Sequence, residues 1–279
     1  MTDFATSERG VSIREPSTAN LLIDSVDRTS GTESGDFLIN KGQSILNGFF
    51  TRLGVVEVVL DWCVDNISNI TQNSSLAVQT STGTHLVQLD DGQYTVKGCL
   101  DALIAALNAV PGIGMTFSIY QNPAGFVDIS GSAPFTILPG NLQQELNLTP
   151  DVSGGLFPVN CPVLLPYTYL DFVSNQLTYN QDLKDTTTNP IERNVLYRWY
   201  LAWDNEPSYD AYGYPILQGY KRFIQRRYIP FPKQIKWDAR QPIGQLSFQV
   251  YNSQGNLMLR NQAFNGEIEW KMTCLVSEV

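Results

Sequence analysis

Apolar and polar side chains alternate along residues 246–251 (Leu-Ser-Phe-Gln-Val-Tyr), and the pattern breaks at Asn252-Ser253-Gln254-Gly255-Asn256. A period of two is that of a half-buried strand, and the polar break is a tight turn. Further on, Ile268, Trp270, Met272, Cys274 and Val276 take every second position, with Glu267, Glu269, Lys271 and Thr273 between them. This predicts a strand with one buried face. A second sheet must cover that face before burial offsets the entropy of ordering it, so the segment is read as a central strand of a β-sandwich.

The same reading carries back along the chain. Residues 21–28 form a short apolar strand followed by a turn-rich loop, and 37–39 resume extended structure. Residues 54–64 are dense in β-branched side chains and read as a buried strand, apolar on both faces around Glu57. Residues 67–78 suit a long loop or an edge hairpin, and 85–89 lead into an Asp-Gly turn. Residues 115–120 and 125–129 form a hairpin about Asn122-Pro123-Ala124-Gly125. One helix interrupts the strands at about 95–109: Thr95 caps it, Val96, Leu100, Leu103, Ile104 and Leu107 recur at helical spacing, and Pro111-Gly112 closes it. Its moderately apolar face places it on the outside of the sandwich. From 134 to 178 short extended pieces alternate with Pro and Gly, 194–203 is an aromatic-rich strand, and 204–219 is a long loop. The class is all-β, with a polar arm over 1–20 and a single domain over 21–279, in which 134–193 and 204–219 are insertions or long loops.

Composition suits a folded chain: 279 residues, 43% hydrophobic and 11% aromatic, are ample for a packed core. The net charge of −9 is unevenly placed. Residues 1–52 hold five basic and seven acidic groups, 53–192 two and thirteen, and 193–279 eleven and seven. An acidic middle and a basic end suggest different surfaces for different neighbours. Cys63, Cys99, Cys161 and Cys274 are widely spaced, which argues against a zinc site and against a disulfide scaffold; Cys274, on the apolar face, reads as a buried thiol. No run approaches the roughly 18 apolar residues of a membrane span. The expectation is a soluble product of a reducing compartment. Asn66, Asn69, Asn73 and Asn147 fit N-x-[ST], a pattern without meaning where no signal peptide is read.

Candidate chemistry is sparse. Lys221, Arg222, Arg226, Arg227, Lys233, Lys236 and Arg240 fall within twenty positions, interleaved with aromatic residues. Such a stretch faces acidic surfaces of adjacent subunits, or packaged DNA without sequence preference, or only solvent. Trp199, Trp203, Tyr209, Tyr212 and Tyr214, with Tyr197 and Tyr200, are a candidate aromatic interface, in core or inter-subunit packing or as stacking faces for sugar rings. Asp90-Asp91 and Glu267/Glu269 are the close carboxylate pairs, but the first sits on a turn and the second on the polar face of a strand, which does not suit glycoside hydrolysis. His85 is the lone histidine and reads as a strand residue. Gly112-Ile113-Gly114 closes a helix where a dinucleotide fingerprint would open one. No catalytic, cofactor-binding or metal-binding set emerges, and no enzyme is expected.

Three groups of residues, in this order along the chain, carry a resemblance: Leu21-Ile23-Asp24-Ser25-Val26-Asp27-Arg28; the Asp91-Gly92-Gln93-Tyr94-Thr95 turn leading into one amphipathic helix; and Gln245-Leu246-Ser247-Phe248-Gln249-Val250-Tyr251 with Gly255-Asn256-Leu257 and Glu269-Trp270-Lys271-Met272. Together they resemble the penton or minor capsid proteins of virophages, polinton-like elements and large eukaryotic double-stranded DNA viruses. The resemblance implies an eight-stranded jelly roll, assembly as a pentamer at the vertices of an icosahedral shell, neighbouring major capsid capsomers as partners, and a place in the virion after synthesis in host cytoplasm or viral factory. A receptor-binding insertion has no evident position in the pattern, although 134–193 and 204–219 are long enough. The alternative is a carbohydrate- or receptor-binding β-sandwich module.

Overall fold

The structure, a computed structural model, describes residues 18–42, 45, 50–62, 64–121, 127–160, 162, 164, 167–178, 195–201, 208–209, 215–216, 223–236, 243–259 and 268–278. Strands dominate them. In chain order they are β1 (Thr18–Asp24), β2 (Ser30–Glu33), β3 (Asp36–Asn40), β4 (Arg52–Trp62), β5 (Ser75–Thr80), β6 (Gly83–Gln88), then helix α1 (Val96–Ala109), β7 (Phe117–Gln121), β8 (Val127–Ile137), helix α2 (Asn141–Glu145), β9 (Ser153–Pro158) and β10 (Tyr169–Val173). They continue with helix α3 (Asn175–Thr178), β11 (Val195–Tyr200), β12 (Ser208–Tyr209), β13 (Pro215–Ile216), β14 (Phe223–Tyr228), β15 (Ile235–Lys236), β16 (Gln245–Asn252) and β17 (Glu269–Ser277).

Eight of these strands make the sandwich. One sheet runs β1-β17-β4-β14, with short β15 also on β4; the other runs β11-β10-β16-β3, with β2 beyond β3. All the pairings are antiparallel. Numbering the eight strands by their order along the chain gives 1-8-3-6 in one sheet and 5-4-7-2 in the other. The chain therefore crosses between sheets at almost every step, and the first and last strands lie side by side. This is the jelly roll. The C-terminal strand is central, as its pattern predicts: Ile268, Trp270, Met272, Cys274 and Val276 are all buried. Trp270 sits at the middle of the core, with ring centroids 5.0 Å from Phe172 and 5.5 Å from both Phe37 and Phe248. Its indole Nε1–H donates to Ser34 O at 3.0 Å.

A second core lies between β4 and β10 in sequence. Strands β6-β5-β8-β7, with β9 also on β8, form a further antiparallel sheet, and α1 and α2 cover it. The helix expected at about 95–109 is α1, and Thr95 Oγ1 caps it by accepting from Gly98 N at 3.0 Å. It lies outside the sandwich but is not a decoration on it. Val96, Cys99, Leu100, Leu103 and Leu107 are buried together with Phe117, Phe135 and Phe157. The buried apolar side chains of the described residues thus fall into two clusters. The further sheet runs from β5 to β9, residues 75–158, and so takes in the first part of the 134–193 segment. Segment 67–78 supplies β5, an interior strand between β6 and β8. The physical reason is that alternation reports a buried face without reporting which sheet buries it.

Candidate subunit interface

Strand β14 supplies Arg226 and Arg227 of the basic stretch. Its register against β4 pairs Arg226 with Val59, Arg227 with Val58 and Tyr228 with Glu57. Val58 is buried, so Arg227 turns inward at the margin of the sandwich, where its guanidinium carbon lies 5.2 Å from the Trp199 ring centroid. Arg226 and Tyr228 point outward, and Arg226 Nε–H donates to Glu57 Oε1. Lys233 and Lys236 are exposed on the segment that follows, and burial of part of its stem lowers the Lys233 amine from its ordinary range. Lys221, Arg222 and Arg240 lie outside the described residues. The basic stretch therefore divides between an inward cation, a paired outward one and two exposed lysines, of which Lys236 lies on β15 beside β4.

Of the aromatic candidates, Trp199 belongs to the core, because β11 pairs it with inward-facing Leu170. Trp203, Tyr212 and Tyr214 lie outside the described residues. Tyr209 is described only through its backbone, which pairs with Pro215 in the β12-β13 ribbon. An aromatic group that sequence spacing does not reveal occupies the outer face of the second sheet. Tyr169 and Tyr200 are cross-strand partners with centroids 6.0 Å apart, and the Arg198 guanidinium carbon stands 4.0 Å from the Tyr169 centroid. Arg198 also donates through Nε and Nη2 to the two oxygens of buried Asp171, at 2.6 and 2.8 Å. That fork holds the Arg198 pKa above its ordinary value despite partial burial. On the first sheet, Lys271 Nζ meets Asp24 Oδ2 at 2.6 Å. Asp24 raises the Lys271 amine above its usual range.

The remaining candidates are structural. Asp91 Oδ1 accepts from Asn69 N at 2.7 Å, and Tyr94 Oη donates to Asp90 O at 3.0 Å, so the two acids hold a turn. Glu269 is exposed on β17, and Glu267 lies outside the described residues. His85 Nε2 shares a hydrogen bond of 3.0 Å with Thr82 Oγ1 on the β5-β6 hairpin. Gly112 and Gly114, both at positive φ, shape the turn after α1. Asn66 and Asn73, two of the N-x-[ST] matches, are buried and bonded internally: Asn66 Oδ1 accepts from Tyr94 N at 2.8 Å, and Asn73 Oδ1 from Ser68 N at 2.8 Å. Cys99 and Cys274 are buried free thiols, each pushed up to about 12, first by burial and, for Cys99, by the neighbouring Glu145. Cys63 and Cys161 lie outside the described residues. Among the described residues no group of three His, Cys, Asp or Glu is placed to hold a metal ion, and no helix is long and apolar enough to cross a membrane.

No protein-family model matches the chain, and no curated protein matches it. Solved structures do. The chain is similar to the mavirus penton protein over 94% of its own length and 99% of that chain, at 10% identity and a TM-score of 0.48. It is also similar to a chain of the Sputnik virophage structure determined by cryo-EM, over 95% of its own length and 98% of that chain, at 12% identity and a TM-score of 0.45.

Proposed function

We propose that this chain is a structural capsid protein, a jelly-roll subunit that forms the pentameric vertex of an icosahedral shell, contacts surrounding major capsid capsomers and resides in the virion. The observation that carries the reading is a jelly roll whose interior is full. The jelly roll serves capsids, lectins and ligand-holding cupins alike, so the strand order alone does not choose among them. A ligand held between the sheets would need the volume that Trp270, Phe37, Phe172 and Phe248 occupy. Function then lies on the outer faces, edges and loops, which is where a shell subunit meets its neighbours. The order of motifs along the chain, which resembles penton and minor capsid proteins, supports the same reading.

The division of the basic stretch favours protein contact over DNA. Arg226 and Arg227 are engaged within the molecule, which leaves fewer cations for phosphate contact. Sedimentation velocity and negative-stain electron microscopy of the full chain test the proposal. Concentration-dependent closed rings are expected; a stable monomer at high concentration overturns it. The second reading, a glycan- or receptor-binding module, draws on the exposed Tyr200 beside Tyr169 and Arg198. Glycan-array binding abolished by Tyr200→Ala would promote it.

A further inference from the structure

The segment that leads into β5 folds around the side chain of Asn73, which is 1% exposed. Its carboxamide is fully engaged. Oδ1 accepts from Ser68 N at 2.8 Å and from Thr71 Oγ1 at 2.7 Å, while Nδ2 donates to Asn66 O at 2.7 Å and to Glu145 Oε1 at 2.8 Å. Three of these partners lie in the segment itself; the fourth is the carboxyl at the end of α2. The other end of α2 holds the same segment, since Asn141 Nδ2 donates at 3.1 Å to the carbonyl of Gln72, a residue at a positive φ of 57°. The chain of bonds continues to the far side. Asn66 brackets Tyr94, its Oδ1 accepting from Tyr94 N at 2.8 Å and its Nδ2 donating to Tyr94 O at 2.7 Å, one residue before the Thr95 cap of α1. A single carboxyl therefore ends a hydrogen-bonded path that runs from α2 through 66–74 to the start of α1.

That carboxyl is the weak link. Glu145 Oε2 is buried with no hydrogen-bond partner, although the residue as a whole is only half-buried. A neutral carboxyl tolerates such a site far better than a carboxylate with one bare oxygen does. If the side chain leaves, one amide hydrogen of buried Asn73 loses its acceptor, a cost that the segment escapes by opening to water. No other charge near Glu145 relieves the problem. Segment 66–74 contains no titratable residue, and neither does β5, the strand against which α2 packs. On α1 the titratable neighbour is Cys99, a thiol pushed up to about 12 and so uncharged near neutral pH. Lys97 and Asp101 pair with each other on the solvent side of α1. Asp65, Asp90 and Asp91 stand by Tyr94 at the far end of the path, where Asp91 accepts from Asn69 N. His85 is bonded to Thr82 at the opposite end of the β5-β6 hairpin. Among the described residues, Glu145 is thus the group of this junction that changes charge near neutrality, because burial raises it to about 7.

We propose that Glu145 is a proton-operated latch between α2 and segment 66–74: protonated, it seals Asn73 and holds the segment on the second core; once its proton passes to water, the carboxylate turns to solvent and 66–74 opens together with the start of α1. The closed form holds the extra proton, so the latch is shut in acid and loosens as pH rises through neutrality. The opening is local, of the kind that leaves the rest of a fold in place, and the jelly-roll core shares no buried side chain with it. The device is independent of what the jelly roll assembles into.

Hydrogen-exchange mass spectrometry of the full chain, at one acidic and one alkaline pH and corrected for the intrinsic pH dependence of exchange, tests the latch. Amide protection over 66–74 should fall at least about tenfold at alkaline pH, the factor that one pKa unit represents, while protection of β17 stays constant. Glu145→Gln, which cannot ionise, should keep 66–74 protected at both pH values, and His85→Gln should behave as the wild type. Carboxyl-carbon NMR of the wild type needs no variant: the Glu145 resonance should titrate at about 7. Unchanged protection of 66–74 in the wild type, an equal fall in Glu145→Gln, loss of the fall in His85→Gln, or a Glu145 carboxyl that titrates at the ordinary 4.5 would each overturn the proposal. So would equal protection of 66–74 and the β7-β8 hairpin at alkaline pH, since the whole second core would then be opening at once.

Discussion

Glu145, at the end of α2, places a carboxyl inside the second core. Asn73 Nδ2 donates to its Oε1 at 2.8 Å, while Oε2 is buried without a hydrogen-bond partner. Cys99 is its titratable neighbour on α1. Burial lifts the carboxyl from 4.5 to about 7, and the Asn73 hydrogen bond opposes that rise only in part. Because the folded pKa lies above the unfolded one, the folded chain holds the extra proton between those values. Stability from this group is therefore full at acidic pH and lost as pH rises through about 4.5 to 7. At 1.36 kcal/mol per unit the loss approaches about 3 kcal/mol above neutrality. Glu145→Gln keeps the shape and the acceptor for Asn73 but removes the charge. It should stabilise the second core by up to about 3 kcal/mol at alkaline pH and by little at pH below 4.5. Urea unfolding followed by far-ultraviolet circular dichroism, which sees α1, at one acidic and one alkaline pH measures the difference. Equal effects at both pH values, or a variant less stable than wild type at alkaline pH, would refute the reasoning.

Trp270→Ala should cost about 3–5 kcal/mol, because it empties the centre of the first core and strands Ser34 O; equilibrium unfolding followed by the fluorescence of the remaining tryptophans reads it. Asp171→Ala leaves the Arg198 guanidinium beside an empty site and should cost about 3 kcal/mol, whereas Asp171→Asn, which keeps an acceptor, should cost less; thermal melts of the two variants distinguish them. Gly35→Ala would drive a Cβ to within 1.8 Å of Met258 O, so the β2-β3 turn must move away from the chain after β16, with a lowered melting temperature and little soluble protein expected.

What the sequence discloses follows from what periodicity can report. The C-terminal strand, the β7-β8 hairpin and the capped helix are local patterns, and each is found where its residues place it. The second core is a matter of partnership. Strands β5 and β6 alternate like any half-buried strand, and the side chains opposite them come from α1, further along the chain. The interface candidates divide in the same way. The basic stretch is visible as composition, but the inward turn of Arg227 depends on its register with Val58. The group of Tyr169, Asp171, Arg198 and Tyr200 needs two strands aligned, β10 and β11, before its members become neighbours. A charge between Leu170 and Phe172 in an otherwise apolar run is the one local sign that this face is special.

Two cores strung on one chain raise the question of whether they unfold together, and the distribution of chromophores allows an answer. All five tryptophans lie outside residues 64–168, whereas α1, the longest helix, lies within them. Trp62, Trp199 and Trp270, the described tryptophans, are buried in the first core, so their fluorescence follows the jelly roll, and helical dichroism follows α1 in the insertion. The buried hydrophobic side chains fall into two separate clusters, one for each sheet system. Side chains that share no partners contribute additively to stability. Trp270→Ala should then move the fluorescence transition and leave the dichroism transition within about 0.5 kcal/mol of wild type, and Glu145→Gln should do the reverse. Coincident shifts of both probes in either variant would mean that the connecting segments transmit the loss, and the insertion would have to be counted as part of the jelly roll's own cooperative unit.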